Sequence, residues 1–137
     1  MTREQQAALK VAMGFLNHYA ERDIESLMDD MATSNPLFMM GTNDNEVFKS
    51  IRSIRAAFKK DFQNMDNIRW GKRRNVHVQA APFLASVIIE MPISYQSAGK
   101  KIKTLFRYAL TLKTERGKWK ICSALASVPF ATGTYAF

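Results

Sequence analysis

The sequence predicts an α+β fold in which helices come first and a curved antiparallel sheet follows. Three observations predict it. Apolar residues recur at helical spacing in three segments before Asn67; beyond Asn67 the period changes to two; and the four long period-two stretches are separated by short turn signals, not by helices. Helices that precede a hairpin-joined meander cannot serve as crossovers of parallel βαβ units, so they must pack onto one face of the sheet.

The first helix, predicted over 3–21, carries Ala8, Val11, Ala12, Phe15, Leu16 and Tyr19 along one stripe. Asp23 is placed to cap a second, short helix with Ile24, Leu27, Met28 and Met31 at helical spacing. Asn35-Pro36 ends it, because a residue before proline avoids the helical region. Leu37, Phe38, Met39 and Met40 read as a short buried strand, closed by the turn cluster that begins at Gly41. Ser50 suits the N-cap of a third helix, whose Ile51, Ile54, Phe58, Phe62 and Met65 share a face while its basic residues take the other. Four strands are predicted over 68–81, 83–97, 103–115 and 118–130, with turns at Pro82, Ser97-Ala98-Gly99 and Arg116-Gly117. Met28, Met31, Met39, Met40, Met65 and Met91 all fall on predicted inward positions, where methionine serves either as core filler or as a binding surface that tolerates several shapes.

Composition narrows the class. A chain of 137 residues with 47% hydrophobic and 23% charged residues reads as one globular domain over 1–137, without linker or repeat. Its start leads into an amphipathic segment and not a signal peptide, and no stretch approaches the about 18 apolar residues of a membrane span. The single cysteine, Cys122, allows no internal disulfide and suits a reducing compartment, so the cytoplasm is expected. The net charge of +8 raises nucleic-acid binding. Its clusters are Arg52, Arg55, Lys59 and Lys60; Lys72, Arg73 and Arg74; and Lys100, Lys101 and Lys103. They fall on a polar helix face or at hairpin ends, without interleaved aromatics, so a solvated surface is the expectation.

The second stretch of the meander carries Phe83, Ala85, Val87, Ile89, Met91, Ile93 and Tyr95 on one face, yet its other face is still half apolar. The last stretch repeats this, with Trp119, Ile121 and Leu125 on one face and Ala124, Ala126 and Val128 on the other. A sheet with one wet face alternates more cleanly, so a second subunit is expected to cover the outer face as a homodimer.

Three stretches, Asp23-Ile-Glu-Ser-Leu-Met, Ile51-Arg-Ser-Ile-Arg-Ala-Ala-Phe, and Gly117-Lys-Trp-Lys-Ile with Ser127-Val-Pro129, resemble the SnoaL-like group of the nuclear transport factor 2-like (ketosteroid isomerase-like) superfamily. The resemblance covers nearly the whole chain. It implies a cone, of the cystatin-like kind, in which three N-terminal helices close over a strongly bent sheet and a pocket, and it implies a dimer through the sheet. A ketosteroid isomerase uses a carboxylate base, a tyrosine and a protonated aspartic acid. Carried over from the shared stretches, the tyrosine position falls on Phe15, the base position on Met39 and the aspartic-acid position on Ala109, so all three roles are vacant. The His-x-His pair of many SnoaL-like relatives falls on Ser123 and Leu125.

Other chemistry is sparse. His18 and His77 are the two histidines; Asp61 and Glu90 are the carboxylates placed near the third helix or the sheet, and no spacing joins either to a histidine. No metal-ligand spacing and no phosphate-cradling glycine loop is present, so no cofactor is expected. Arg107, flanked by Phe106 and Tyr108, either points into the cone to meet an anionic head or bonds Glu90 at a dimer rim. The expected site is an apolar pocket of Phe15, Tyr19, Met39, Met91, Arg107 and Ala109 holding a small, mostly apolar molecule without catalysis. Two alternatives stay open: a lyase, isomerase or cyclase with a different set of residues, and a module that binds protein or nucleic acid through its basic surface.

Overall fold

The computed structural model describes residues 1–135. Helix α1 (Arg3–Ala20) starts at Thr2, whose hydroxyl accepts the Gln5 N–H while the Gln5 side chain accepts the Thr2 N–H. Helix α2 (Ile24–Asp30) is capped by Asp23, which accepts from the Ser26 N–H, and α3 (Ile51–Asn64) by Ser50. Between α2 and α3 lie two short strands, β1 (Phe38–Met40) and β2 (Val47–Phe48). Then come β3 (Asp66–Trp70), β4 (Asn75–Ala80), β5 (Leu84–Ser97), β6 (Lys100–Glu115) and β7 (Lys118–Ser127). Among the described residues no helix is long and apolar enough to cross a membrane.

The sheet order is β2-β1-β7-β6-β5-β3, with β4 also on β5. The β5–β6 and β6–β7 hairpins close through Ala98-Gly99 and Arg116-Gly117, with φ of 51° and 75°, then 53° and 76°. Two successive positive φ values make the tight turn whose twist matches the strands, and glycine takes the second position without strain. The meander is antiparallel as expected, but β1 joins it parallel to β7, with Met39 opposite Ala124.

The stretch expected as one strand over 68–81 is two. Gly71 lies against Pro92, and its N–H reaches the Pro92 carbonyl at 2.8 Å. Proline returns no donor, so the ladder opens there and resumes where Arg74 N–H meets the Glu90 carbonyl.

The core lies between the helices and the inner sheet face. Ala8, Ala12, Phe15, Leu16 and Tyr19 of α1, and Ile54, Phe58 and Phe62 of α3, are buried there. Ala85, Val87, Ile89, Met91 and Ile93 of β5 face them, beside Leu110 and Leu112 of β6. On β7 the alternation read from sequence fails. The register slips at Cys122, so Trp119 and Ile121 before the slip share the inner face with Ala124 and Ala126 after it, and Leu125 turns outward.

Candidate functional site

Between α1, α3, residues 39–48 and the inner face of β5–β7 lies a cavity of about 190 Å³. It exists because small side chains stand where large ones would meet. Ala126 is opposite Tyr108, Ala124 is opposite Leu110, and Ala57 faces in from α3. Around this gap aromatic rings interlock, Phe15 with Phe58 at 6.0 Å and edge-on to Tyr108 at 6.3 Å. The cavity shares Asn43, Glu46, Phe48, Asp61, Met65 and Tyr95 with a wider outer groove of about 770 Å³, so it has a mouth.

Its polar groups are few. The Tyr19 hydroxyl donates to Asp61 Oδ2 at 2.8 Å and lies 3.4 Å from Met65 Sδ. Burial pushes the Asp61 carboxyl above the ordinary carboxylate range, against the opposing effect of the Tyr19 bond, and the charge of Glu46 pushes it the same way. Burial also raises both phenols well above a free tyrosine, so Tyr19 and Tyr108 stay neutral donors. Tyr108 lines the cavity, and its hydroxyl has no hydrogen-bond partner among the described residues. Glu46 is held at the mouth, where its Oε1 accepts the Asn43 N–H at 2.8 Å. A Cβ at Gly41 would stand 2.8 Å from that oxygen, so glycine there lets the Glu46 side chain fold against the loop.

Of the residues expected to line the pocket, Phe15, Tyr19 and Met39 do. Met91 faces inward but is sealed in the core, 3% exposed, while its cross-strand partner Phe106 reaches the cavity. Arg107 and Ala109 are corrections: both lie on the outer face, as the partners of Glu90 and Ile88. Arg107 Nε donates to Glu90 Oε2 at 2.6 Å, so it anchors no anion in the cone. Side chains on a strand alternate, and β6 is apolar on both faces, so a count off by one residue exchanges Arg107 and Ala109 for Phe106 and Tyr108. The histidines stand apart from the cavity: His18 Nδ1 pairs with Asp30 Oδ2 at 2.7 Å, and His77 is exposed opposite Ile88 on the outer face.

Asp61 as a cavity group was not drawn from the sequence, although the signal was there. It falls three residues after Phe58 and seven after Ile54, inside the apolar stripe of α3, where a carboxylate is out of place unless it has a task. Chemically, the site joins an apolar, aromatic chamber to a carboxyl able to exchange a proton and to phenols able to hydrogen-bond an oxygen.

This geometry accords with what the chain resembles. A SnoaL-like domain family matches residues 9–131. The chain belongs to the SnoaL-like family. Among solved structures, a proposed dehydratase of the nuclear transport factor 2-like family from Streptomyces avermitilis superposes with a TM-score of 0.83 at 16% identity, over 93% of this chain and 98% of that one. A ketosteroid isomerase-like protein from Erwinia carotovora atroseptica gives 0.81 at 13% identity, over 96% and 100%. A proposed scytalone dehydratase from Novosphingobium aromaticivorans gives 0.79 at 11%, over 98% and 89%. At such identities the likeness is one of fold alone. Among curated proteins none matches the chain.

Proposed function

We propose that this SnoaL-like protein binds a small, mostly apolar molecule in the cavity, without the ketosteroid isomerase set. The observation that carries this reading is the Tyr108 hydroxyl, a neutral donor with no hydrogen-bond partner among the described residues, on the wall of an aromatic cavity of about 190 Å³. Pockets of this kind are mainly apolar, with a few polar groups that orient the ligand. The test is competition with a hydrophobic fluorescent probe. Met39→Trp fills the chamber and is expected to abolish probe binding, while Arg107→Ala, on the other face, leaves it unchanged. Equal binding by wild type and Met39→Trp would place the probe elsewhere and overturn the reading.

One feature favours a second reading, a lyase or isomerase: the Asp61 carboxyl, raised by burial and bonded to Tyr19, is suited to take a proton from carbon while Tyr108 holds a carbonyl oxygen. Exchange of solvent deuterium into the positions next to the carbonyl of 2-tetralone would support it if wild type catalyses the exchange and Asp61→Asn does not.

The protein acts in the cytoplasm as a homodimer joined through the outer sheet face. Supporting this, Ile88, Ala109, Leu125 and Met40 stand side by side across β5, β6, β7 and β1, and Ile88, Leu125 and Met40 are 46%, 47% and 39% exposed. Leu125→Asp is expected to give monomers in sedimentation, and a wild type that is monomeric at micromolar concentration would refute the dimer.

A further inference from the structure

We infer that the ligand of this cavity carries a positive charge: a small aromatic or otherwise apolar amine, seated with its ammonium group between Asp61 and Glu46. The inference rests on the binding reading above and adds the charge class of the ligand.

The surface and the interior differ in sign. The chain carries 20 Lys and Arg against 12 Asp and Glu, yet among the described residues no Lys, Arg or His lines the inner cavity. Its two ionisable groups other than phenols are the carboxyls of Asp61 and Glu46. In the outer groove Asp44 joins them, and among the described residues Lys60 is the one base of the groove's lining. The two cavity carboxyls feel each other, since the charge of Glu46 disfavours ionisation of Asp61. A cation placed between two carboxylates relieves that repulsion and gains a charge-assisted hydrogen bond from each, whereas an anion would add a third like charge.

The chamber behind them suits the rest of such a molecule. Tyr19, Phe58, Phe106 and Tyr108 present ring surface to it, and a ring face attracts an ammonium group as well as an apolar body. Independently of the carboxyls, the Tyr108 hydroxyl, half-buried on the cavity wall and bonded to no described residue, is open to a molecule in the chamber. Glu46 is also posed for the task. The missing side chain at Gly41 and the Asn43 N–H hold its carboxyl at the boundary of cavity and groove, on the route by which a ligand enters.

Three probes of one shape and different charge test this: phenethylamine, 2-phenylethanol and phenylacetate, titrated into the full chain near pH 7 by calorimetry or ligand-observed NMR. The expected order is amine first, alcohol about tenfold weaker, which is about 1.4 kcal/mol, and phenylacetate weakest. Asp61→Asn, which keeps the volume, is expected to bring the amine down to the affinity of the alcohol and to leave the alcohol unchanged. Met39→Trp is expected to abolish binding of both. Alcohol binding that equals or exceeds amine binding would overturn the charge inference while leaving the pocket reading intact. So would an amine preference that survives the Asp61→Asn, Glu46→Gln double variant, or amine binding that survives Met39→Trp, since the amine would then sit on the surface. Failure of the amine and the alcohol alike to bind would overturn the inference together with the pocket reading.

Discussion

Glu90 and Asp61 are both carboxylates drawn away from bulk water, one on the outer sheet face and one at the inner cavity, and their surroundings are opposite. Glu90, 8% exposed, accepts from Arg107 at 2.6 Å and from Asn75 at 2.9 Å, with Arg74 at 4.0 Å. The Arg107 and Asn75 bonds hold its carboxyl below the ordinary range. Asp61 has a phenol for its partner and apolar walls around it, and burial holds its carboxyl above that range. The fold completes the first carboxylate and leaves the second wanting. A charge that serves the architecture is neutralised by the architecture, and one left uncompensated beside a cavity is available to a ligand.

The largest expected effect concerns the wall that keeps Asp61 dry. Phe58 is buried against Phe15 and Tyr19, and Phe58→Ala should cost about 3–5 kcal/mol in denaturant unfolding. A loss under about 1 kcal/mol would mean that α3 does not seal the cavity. Glu90→Gln leaves Arg107 and Arg74 facing a neutral amide, so its unfolding midpoint should fall further than that of Asp61→Asn. The reverse order would break the contrast.

Acidity sharpens it further. Because the folded pKa of Asp61 is raised, its contribution to stability is present below the unfolded value of 3.8 and is lost as pH rises through the higher folded value. Asp61→Asn should therefore gain on wild type as pH increases across that window. Glu115 runs the other way. It accepts from the backbone and hydroxyls of Thr33 and Ser34, which hold it down to about 2. Its contribution is present above 4.5 and is lost as pH falls toward about 2, so Glu115→Gln should flatten the acid limb of a plot of Tm against pH. The smallest effect separates the two phenols. Tyr19→Phe removes the bond to Asp61 and should cost about 1 kcal/mol, while Tyr108→Phe removes a hydroxyl that bonds no described residue and should stay within about 0.5 kcal/mol.

Local signals made the elements legible. Asp23 and Ser50 head the second and third helices, and the Ala98-Gly99 and Arg116-Gly117 turns join long strands whose alternation begins near Asn67. The resemblance to the SnoaL-like family was legible from three stretches, and the match over residues 9–131 shows it. Half of the expected pocket, Phe15, Tyr19 and Met39, lines the cavity. Met91 takes its expected inward face on β5 but is sealed in the core, and Arg107 and Ala109 failed on β6, where apolar residues on both faces leave the inward set undetermined.

By itself, then, the sequence determined the three helices, the long strands of the meander and the helix faces turned inward, because caps, turns and periodicity act over a few residues. Tertiary structure alone decided which face of β6 looks into the cone, since a period of two has no phase until β5 pairs with it. It alone placed the slip at Cys122 that turns Ala124 and Ala126 inward and opens the space. It alone brought Asp61 to Tyr19, forty-two residues apart, because a site assembled across α1, α3 and the sheet exists only where separate chain segments meet.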